Sequence, residues 1–129
     1  MQVTKIDHLV LTVLDIEQTK DFYQRVLGMK AVFFGDGRVA LRFGEQKINL
    51  HRAGSEIEPK ATYPLPGSAD ICFITETELK EAMQHVENQG VEIIEGPVTR
   101  TGANGSLLSF YFRDPSGNLV EVANEMNAT

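Results

Sequence analysis

Four side chains able to hold a cation stand inside otherwise apolar stretches: His8 within Val3 to Val13, His51 after Ile48-Asn-Leu, Asp70 at the head of Ala69 to Ile74, and Glu121 between Leu119-Val and Val-Ala123. An imidazole in such a stretch can be satisfied by one backbone carbonyl. A carboxylate there is costly to bury without a partner. Four such residues at matched places are explained by one shared divalent ion, because mixed imidazole and carboxylate donors suit Ni, Zn, Mn or Fe.

The elements that carry them repeat. The first stretch is rich in β-branched residues and reads as a buried strand. Asp15 with Gln18 resembles a capping box, and Thr19, Phe22, Tyr23, Val26 and Leu27 then recur at helical spacing up to Gly28. This predicts a helix over Ile16 to Leu27. Three strands follow, Met29 to Phe34, Val39 to Phe43 and Gln46 to Arg52, separated by Gly35-Asp36-Gly37 and Gly44-Glu45. Gly54 to Pro66 is a polar, proline-bearing connector on which Tyr63 and Leu65 are expected to dock. The pattern then restarts with Ala69 to Ile74 and a helix opened by Thr75 or Thr77, carrying Leu79, Ala82, Met83 and Val86 at i, i+3, i+4, i+7 and closed by Gly90. Val91 to Ile94 reads as a strand broken by Gly96-Pro97, Val98 to Gly105 as a loop, Leu107 to Arg113 as a strand, Asp114 to Asn118 as a turn, Leu119 to Ala123 as the last strand, and Asn124 to Thr129 as a loose tail.

The expected architecture is therefore α+β: two tandem βαβββ modules whose sheets form half-barrels around a metal-binding cavity. Residues 1–129 form one domain, with module 1 at about 1–53, the connector at about 54–66 and module 2 at about 67–124. His8 to Gly28 and Asp70 to Gly90 have the same spacing, so Asp70 takes the place of His8. Laying Ile48-Asn-Leu-His51 over Asn118-Leu-Val-Glu121 makes His51 and Glu121 equivalent as well.

The net charge of −6 argues against a nucleic acid or an anionic membrane surface as partner. No apolar run approaches the roughly 20 residues that span a bilayer, and the N-terminal residues lack the apolar core of a signal peptide. A cytoplasmic protein is expected. Cys72, the single cysteine, reads as an inert buried thiol. His85 reads as a solvated helix residue, and Phe110 to Phe112 as packing. Arg100 lies in the expected loop, where an arginine suits a substrate carboxylate.

Several motifs together resemble the vicinal oxygen chelate superfamily, which includes glyoxalase I, drug-resistance proteins and extradiol dioxygenases. They are Ile6-Asp-His-Leu-Val-Leu-Thr-Val13, Asp21-Phe-Tyr23 with Leu27-Gly-Met29, and Phe112-Arg-Asp-Pro-Ser-Gly-Asn-Leu-Val-Glu121. Ala40 to Gly44, Gln46 to His51, Asp70 to Glu76 and Gly96 to Gly102 more narrowly resemble glyoxalase domain-containing and bacterial virulence-associated relatives. The resemblance implies metal ligation by His8 and Glu121. It aligns Asn49 with a glutamate ligand of glyoxalase I and puts Asp70 where a histidine is usual. His51 shares a strand face with Asn49 and stands in as a donor. Asn49 and Arg100 are also candidate substrate contacts.

The expected activity is that of a metal-dependent lyase acting on a small α-hydroxycarbonyl thioether of the methylglyoxal–glutathione type. Glu121 is the base, and the ion stabilises the enediolate. One alternative is a ring-cleaving dioxygenase with Fe²⁺ on His8, His51 and Glu121. Another is a non-catalytic module that traps a small molecule. Exposed apolar sheet surface leads to the expectation of a homodimer.

Overall fold

The computed structural model describes residues 1–126. The chain falls into two compact units, one of Met1–Ser68 and one starting at Ala69. Each is a strand, a helix and three strands, so the expected α+β pattern of two βαβββ units is met.

The first unit contains β1 (His8–Val13), α1 (Ile16–Leu27), β2 (Lys30–Phe34), β3 (Arg38–Phe43) and β4 (Gln46–Arg52), with sheet order β1-β4-β3-β2. β1 runs parallel to β4 and the other pairings are antiparallel. β1 begins at His8, later than the apolar composition suggests; Val3 and Ile6 are exposed. Period-two alternation splits the sheet into two faces. Leu11, Val13, Val39, Leu41, Ile48 and Leu50 form a buried apolar face, and α1 packs on its sheet through Phe22, Tyr23 and Val26. Burying each of these side chains stabilises the unit by roughly 1.5–3 kcal/mol, so Tyr23→Ala is the single change expected to detach the helix. The helix ends are specified locally. The Asp15 carboxylate accepts from Gln18 N–H at 2.8 Å. At the other end Gly28 adopts φ 67° while Gly28 and Met29 N–H donate to Gln24 and Tyr23 carbonyls, and the left-handed glycine with its bond four residues back is an αL ending.

The second unit contains β5 (Asp70–Ile74), α2 (Leu79–Asn88), β6 (Glu95–Gly102), β7 (Gly105–Arg113) and β8 (Leu119–Glu125), in the order β5-β8-β7-β6. Phe110, Phe112, Val120 and Val122 form its buried apolar face. Two expectations change here. Residues 91–94 are not a strand, and the stretch expected as a loop is mostly β6. Pro97 does not break the strand because β6 lies at the sheet edge and the pairing slips between Glu95 and Val98, where a missing N–H is tolerated. Gly96 is needed at that slip, since a Cβ there would stand 2.5 Å from Phe110 Cβ. The expected loose tail also changes. β8 continues to Glu125, and Asn124 Nδ2 donates to the Thr75 and Thr77 carbonyls at 2.9 Å each. The rest of that stretch, 127–129, lies outside the described residues. Tyr63 and Leu65, expected to dock, are 78% and 60% exposed. No helix among the described residues is long and apolar enough to cross a membrane.

Candidate functional site

In the first unit the face opposite the apolar one carries the chemistry. The β1–β4 register sets His8 beside Lys47, Val10 beside Asn49 and Thr12 beside His51. His8 is exposed at the start of β1, and its Nδ1 lies 2.8 Å from Asp7 Oδ2. A carboxylate only accepts, so Nδ1 carries the proton and Nε2 presents its lone pair. This is the arrangement in which a carboxylate orients a metal-binding histidine. The His8 bond, helped by the charges of His8, Lys5 and Lys47, holds the Asp7 carboxyl below the usual range against an opposing effect of desolvation.

His51 is built differently. It is buried, and Ile57 N–H donates toward its Nδ1 at 3.4 Å. The ring's other nitrogen therefore holds the proton when the imidazole is neutral. Burial, then the charge of Arg38, push its pKa below the ordinary value, with Glu56 opposing. His51 Nε2 and Asn49 Oδ1 are both buried with no hydrogen-bond partner among the described residues.

In the second unit the register sets Asp70 beside Leu119 and Cys72 beside Glu121, and Glu121 beside Tyr111 on its other side. Arg100 Nε donates to Tyr111 Oη at 2.9 Å, and its Nη2 lies 3.3 Å from Glu95 Oε1. Partial desolvation by the neighbouring strands pushes the Cys72 thiol up to about 11, and the charge of Glu121, with hydrogen bonding to it, adds to the rise. Burial also raises Tyr111, the Arg100 bond opposes, and Glu121 adds to the rise. A line of groups thus runs across one face, Glu95–Arg100–Tyr111–Glu121–Cys72. Asp70, Arg100, Tyr111 and Arg113 help line a cavity of about 390 Å³ in this unit.

The two neighbouring strands that carry Asp70 and Glu121, two residues apart in register, are secured by the Asp114–Asn118 turn. Asp114 Oδ1 accepts from the N–H groups of Ser116 and Asn118, and Oδ2 accepts from Asn118 Nδ2. Asn118 Oδ1 in turn accepts Ala69 N–H at 3.0 Å, and Leu119 N–H donates to the Ala69 carbonyl. The turn thereby ties the head of β5 to β8.

The expected equivalence of His51 with Glu121 is corrected by two residues. His8 faces Lys47 and Asp70 faces Leu119, so Asn49 is the counterpart of Glu121 and Ala123 that of His51. Within the first sheet His8 and His51 sit four residues apart along parallel strands. That is about 13 Å, and the two side chains leave the sheet side by side without converging. Among the described residues no three His, Cys, Asp or Glu side chains stand together as an ion site. As individual donors, His8, Asn49, Asp70 and Glu121 fit a divalent ion. His8 has a free, carboxylate-backed nitrogen, and Asn49 has an orphaned buried oxygen. His51 does not fit through Nε2 while Nδ1 accepts the Ile57 N–H.

Cys72 and Tyr111 were not anticipated as site residues. Cys72 is exposed, not an inert core thiol. Strand alternation from Asp70 already places it on the same face. Tyr111 can be found by counting outward from the five-residue turn, two before Arg113 and two after Leu119 to reach Glu121. Arg100 sits on a strand, not a loop, and His85 is exposed as expected.

A family model described as Glyoxalase/Bleomycin resistance protein/Dioxygenase superfamily matches residues 5–122. The chain is 54% identical over 123 residues to Virulence protein STM3117 of Salmonella typhimurium, covering 95% of this chain and 85% of that protein. It is similar to the solved structure of an integron cassette protein of V. cholerae, with TM-score 0.96, 63% identity and 98% of each chain covered. It is also similar to a lactoylglutathione lyase from Agrobacterium tumefaciens, with TM-score 0.73, 26% identity and 96% of each chain covered.

Proposed function

Because the chain belongs to the Glyoxalase/Bleomycin resistance protein/Dioxygenase superfamily, we propose that it is a divalent-metal-dependent lyase acting on a small α-hydroxycarbonyl thioether. The observation that carries this reading is the Asp7–His8 pair, in which a carboxylate holds the imidazole in the tautomer that offers Nε2 to a metal. His8 and Glu121 are the principal donors, with Asp70 and Asn49 at the two places that the strand register makes equivalent to them. One imidazole with three oxygens favours Mn²⁺ among the divalent ions considered. When bound, the ion supplies Lewis acidity toward adjacent substrate oxygens.

The chain's own groups do the proton work. Glu121 Oε removes the proton next to the substrate carbonyl. The Cys72 thiol and the Tyr111 hydroxyl donate to that carboxylate and aim it, and Arg100 holds Tyr111 in turn. Arg113, beside the same cavity, suits a substrate carboxylate. A ring-cleaving dioxygenase needs two imidazoles on iron, and the proton on His51 Nε2 counts against that role. Cytoplasmic residence and a homodimer complete the reading. Val10 and Ile74, exposed on the faces of β1 and β5 that carry the polar residues, support a homodimer as apolar side chains that a second copy can cover.

The test combines calorimetric Mn²⁺ titration of the purified protein with turnover of the methylglyoxal–glutathione hemithioacetal. Glu121→Gln is expected to weaken metal binding at least tenfold and abolish turnover while far-UV circular dichroism is unchanged. A wild-type protein that binds no divalent ion, or a Glu121→Gln protein that turns over normally, overturns the reading.

A further inference from the structure

His51 sits in a second polar environment that the metal reading does not use. Three facts define it. First, the loop after β4 is pinned by Glu56, which accepts Gly54 N–H at 2.6 Å and lies 3.3 Å from Lys60 Nζ. The pinned loop aims Ile57 N–H at His51 Nδ1. Second, His51 Nε2 is consequently a buried N–H donor with no acceptor among the described residues, an arrangement that is costly unless something binds there. Third, one cation stands beside it and a second reaches the same aromatic ring. Arg38 continues the β3–β4 register to the place beside His51. Arg38 Cζ stands 4.7 Å and Lys47 Nζ 3.9 Å from the centre of the same Phe34 ring. Neither Arg38 nor Lys47 forms a salt bridge among the described residues. Asp7 feels the charge of Lys47 and Glu56 that of His51, but no carboxylate stands within salt-bridge distance of either cation among the described residues, so two like charges gathered on one ring repel each other and favour an anion that joins them.

We propose that His51 Nε2–H, Arg38 and Lys47 form a seat for an oxyanion group of the substrate, a carboxylate or a phosphate. The ring acts as a neutral hydrogen-bond donor and the two cations supply the charge. Arg38 offers the planar fork that matches an oxyanion, and Lys47 a point charge. Thr12, beside His51 on β1, offers a hydroxyl at the same level. The seat fixes one end of the substrate and so sets specificity. It does not depend on a bound ion, because none of its three donors is a metal ligand.

The experiment uses the full, metal-free chain labelled with ¹⁵N at histidine. Long-range ¹H–¹⁵N spectra at neutral pH are expected to show His51 protonated at Nε2 and bare at Nδ1. Inorganic phosphate and acetate are titrated separately. At least one is expected to shift the His51 Nε2 resonance saturably, and the one that binds more tightly identifies the substrate's anionic group. Arg38→Gln and Lys47→Gln are each expected to weaken that binding at least tenfold with the His51 tautomer intact. A bare Nε2, no saturable shift with either anion, or unchanged binding in both variants overturns the proposal. Because no ion is present, a failure here is separate from a failure of the metal-dependent activity.

Discussion

Replacing Asp114 by alanine removes the carboxylate on which the second unit's donor strands are hung. The side chain is 5% exposed and accepts three hydrogen bonds, at 2.9, 3.0 and 2.8 Å. Asn118, which supplies two of the donors, is 2% exposed. A bond to a charged acceptor contributes about 1.5–3 kcal/mol net, and a buried donor left unpaired costs about 1–3 kcal/mol. The three bonds share one carboxylate, and the less buried Ser116 N–H can turn to water. The loss is therefore governed by the two Asn118 donors and comes to about 2–4 kcal/mol. With an unfolding entropy of about 2.1 cal/mol/K per residue, a chain of 129 residues that unfolds as a whole loses about 10 °C in Tm. If the unit starting at Ala69 unfolds by itself, the drop is roughly twice that. Scanning calorimetry reads both the shift and the number of transitions. Asp114→Asn keeps an oxygen for the backbone donors and is expected to lose about half as much. Hydrogen exchange at Ala69 and Leu119 is expected to quicken in step, since those amides tie β5 to β8. A Tm drop below about 3 °C, or an asparagine variant less stable than the alanine one, would refute this account of the turn.

Three further outcomes are expected. Asp7→Asn weakens Mn²⁺ binding roughly tenfold by calorimetry, the low end for a group that orients a metal-bound histidine, because the pair is solvent-exposed; unchanged affinity removes Asp7 from the metal reading. The folded His51 ring titrates below the ordinary value of about 6.5 because of burial and Arg38. As pH falls below about 6.5 the unfolded chain takes a proton that the folded chain refuses, so this residue's contribution, present in full above that value, is lost toward the folded pKa. Denaturant midpoints at stepped pH should show that slope in the wild type and lose it in His51→Gln. Cys72, with its thiol pushed up to about 11, is expected to react with iodoacetamide at pH 8 roughly tenfold or more slowly than in the unfolded chain. Glu121→Gln should speed that reaction, and a slower or unchanged rate counts against their contact.

Much of the fold is legible from local chemistry. Asp15, Gln18 and Gly28 mark both ends of α1 without reference to the rest of the chain, because caps and left-handed glycines satisfy groups within a few residues of themselves. The Asp114–Asn118 turn is legible for the same reason. β6 is not, because a proline inside a strand is tolerable only on an edge, and which strand lies at the edge is a property of the assembled sheet. Asp70 and Glu121 come to adjacent strands as the repeat suggests. The counterpart of His51 is not legible in the sequence, since overlaying two short apolar runs leaves the pairing free to slide by two residues without changing which face is apolar.

By itself the chain of residues determined the repeat and most element types, and it singled out the polar side chains set in apolar strands, because periodicity, capping and residue chemistry act over short range. Only the tertiary structure decided which atom each donor offers. Asp7 leaves His8 offering a nitrogen lone pair, whereas the Ile57 N–H leaves His51 offering a proton. The same side chain takes opposite roles because a neutral imidazole has one proton, and a neighbour contributed by the fold chooses the nitrogen that keeps it.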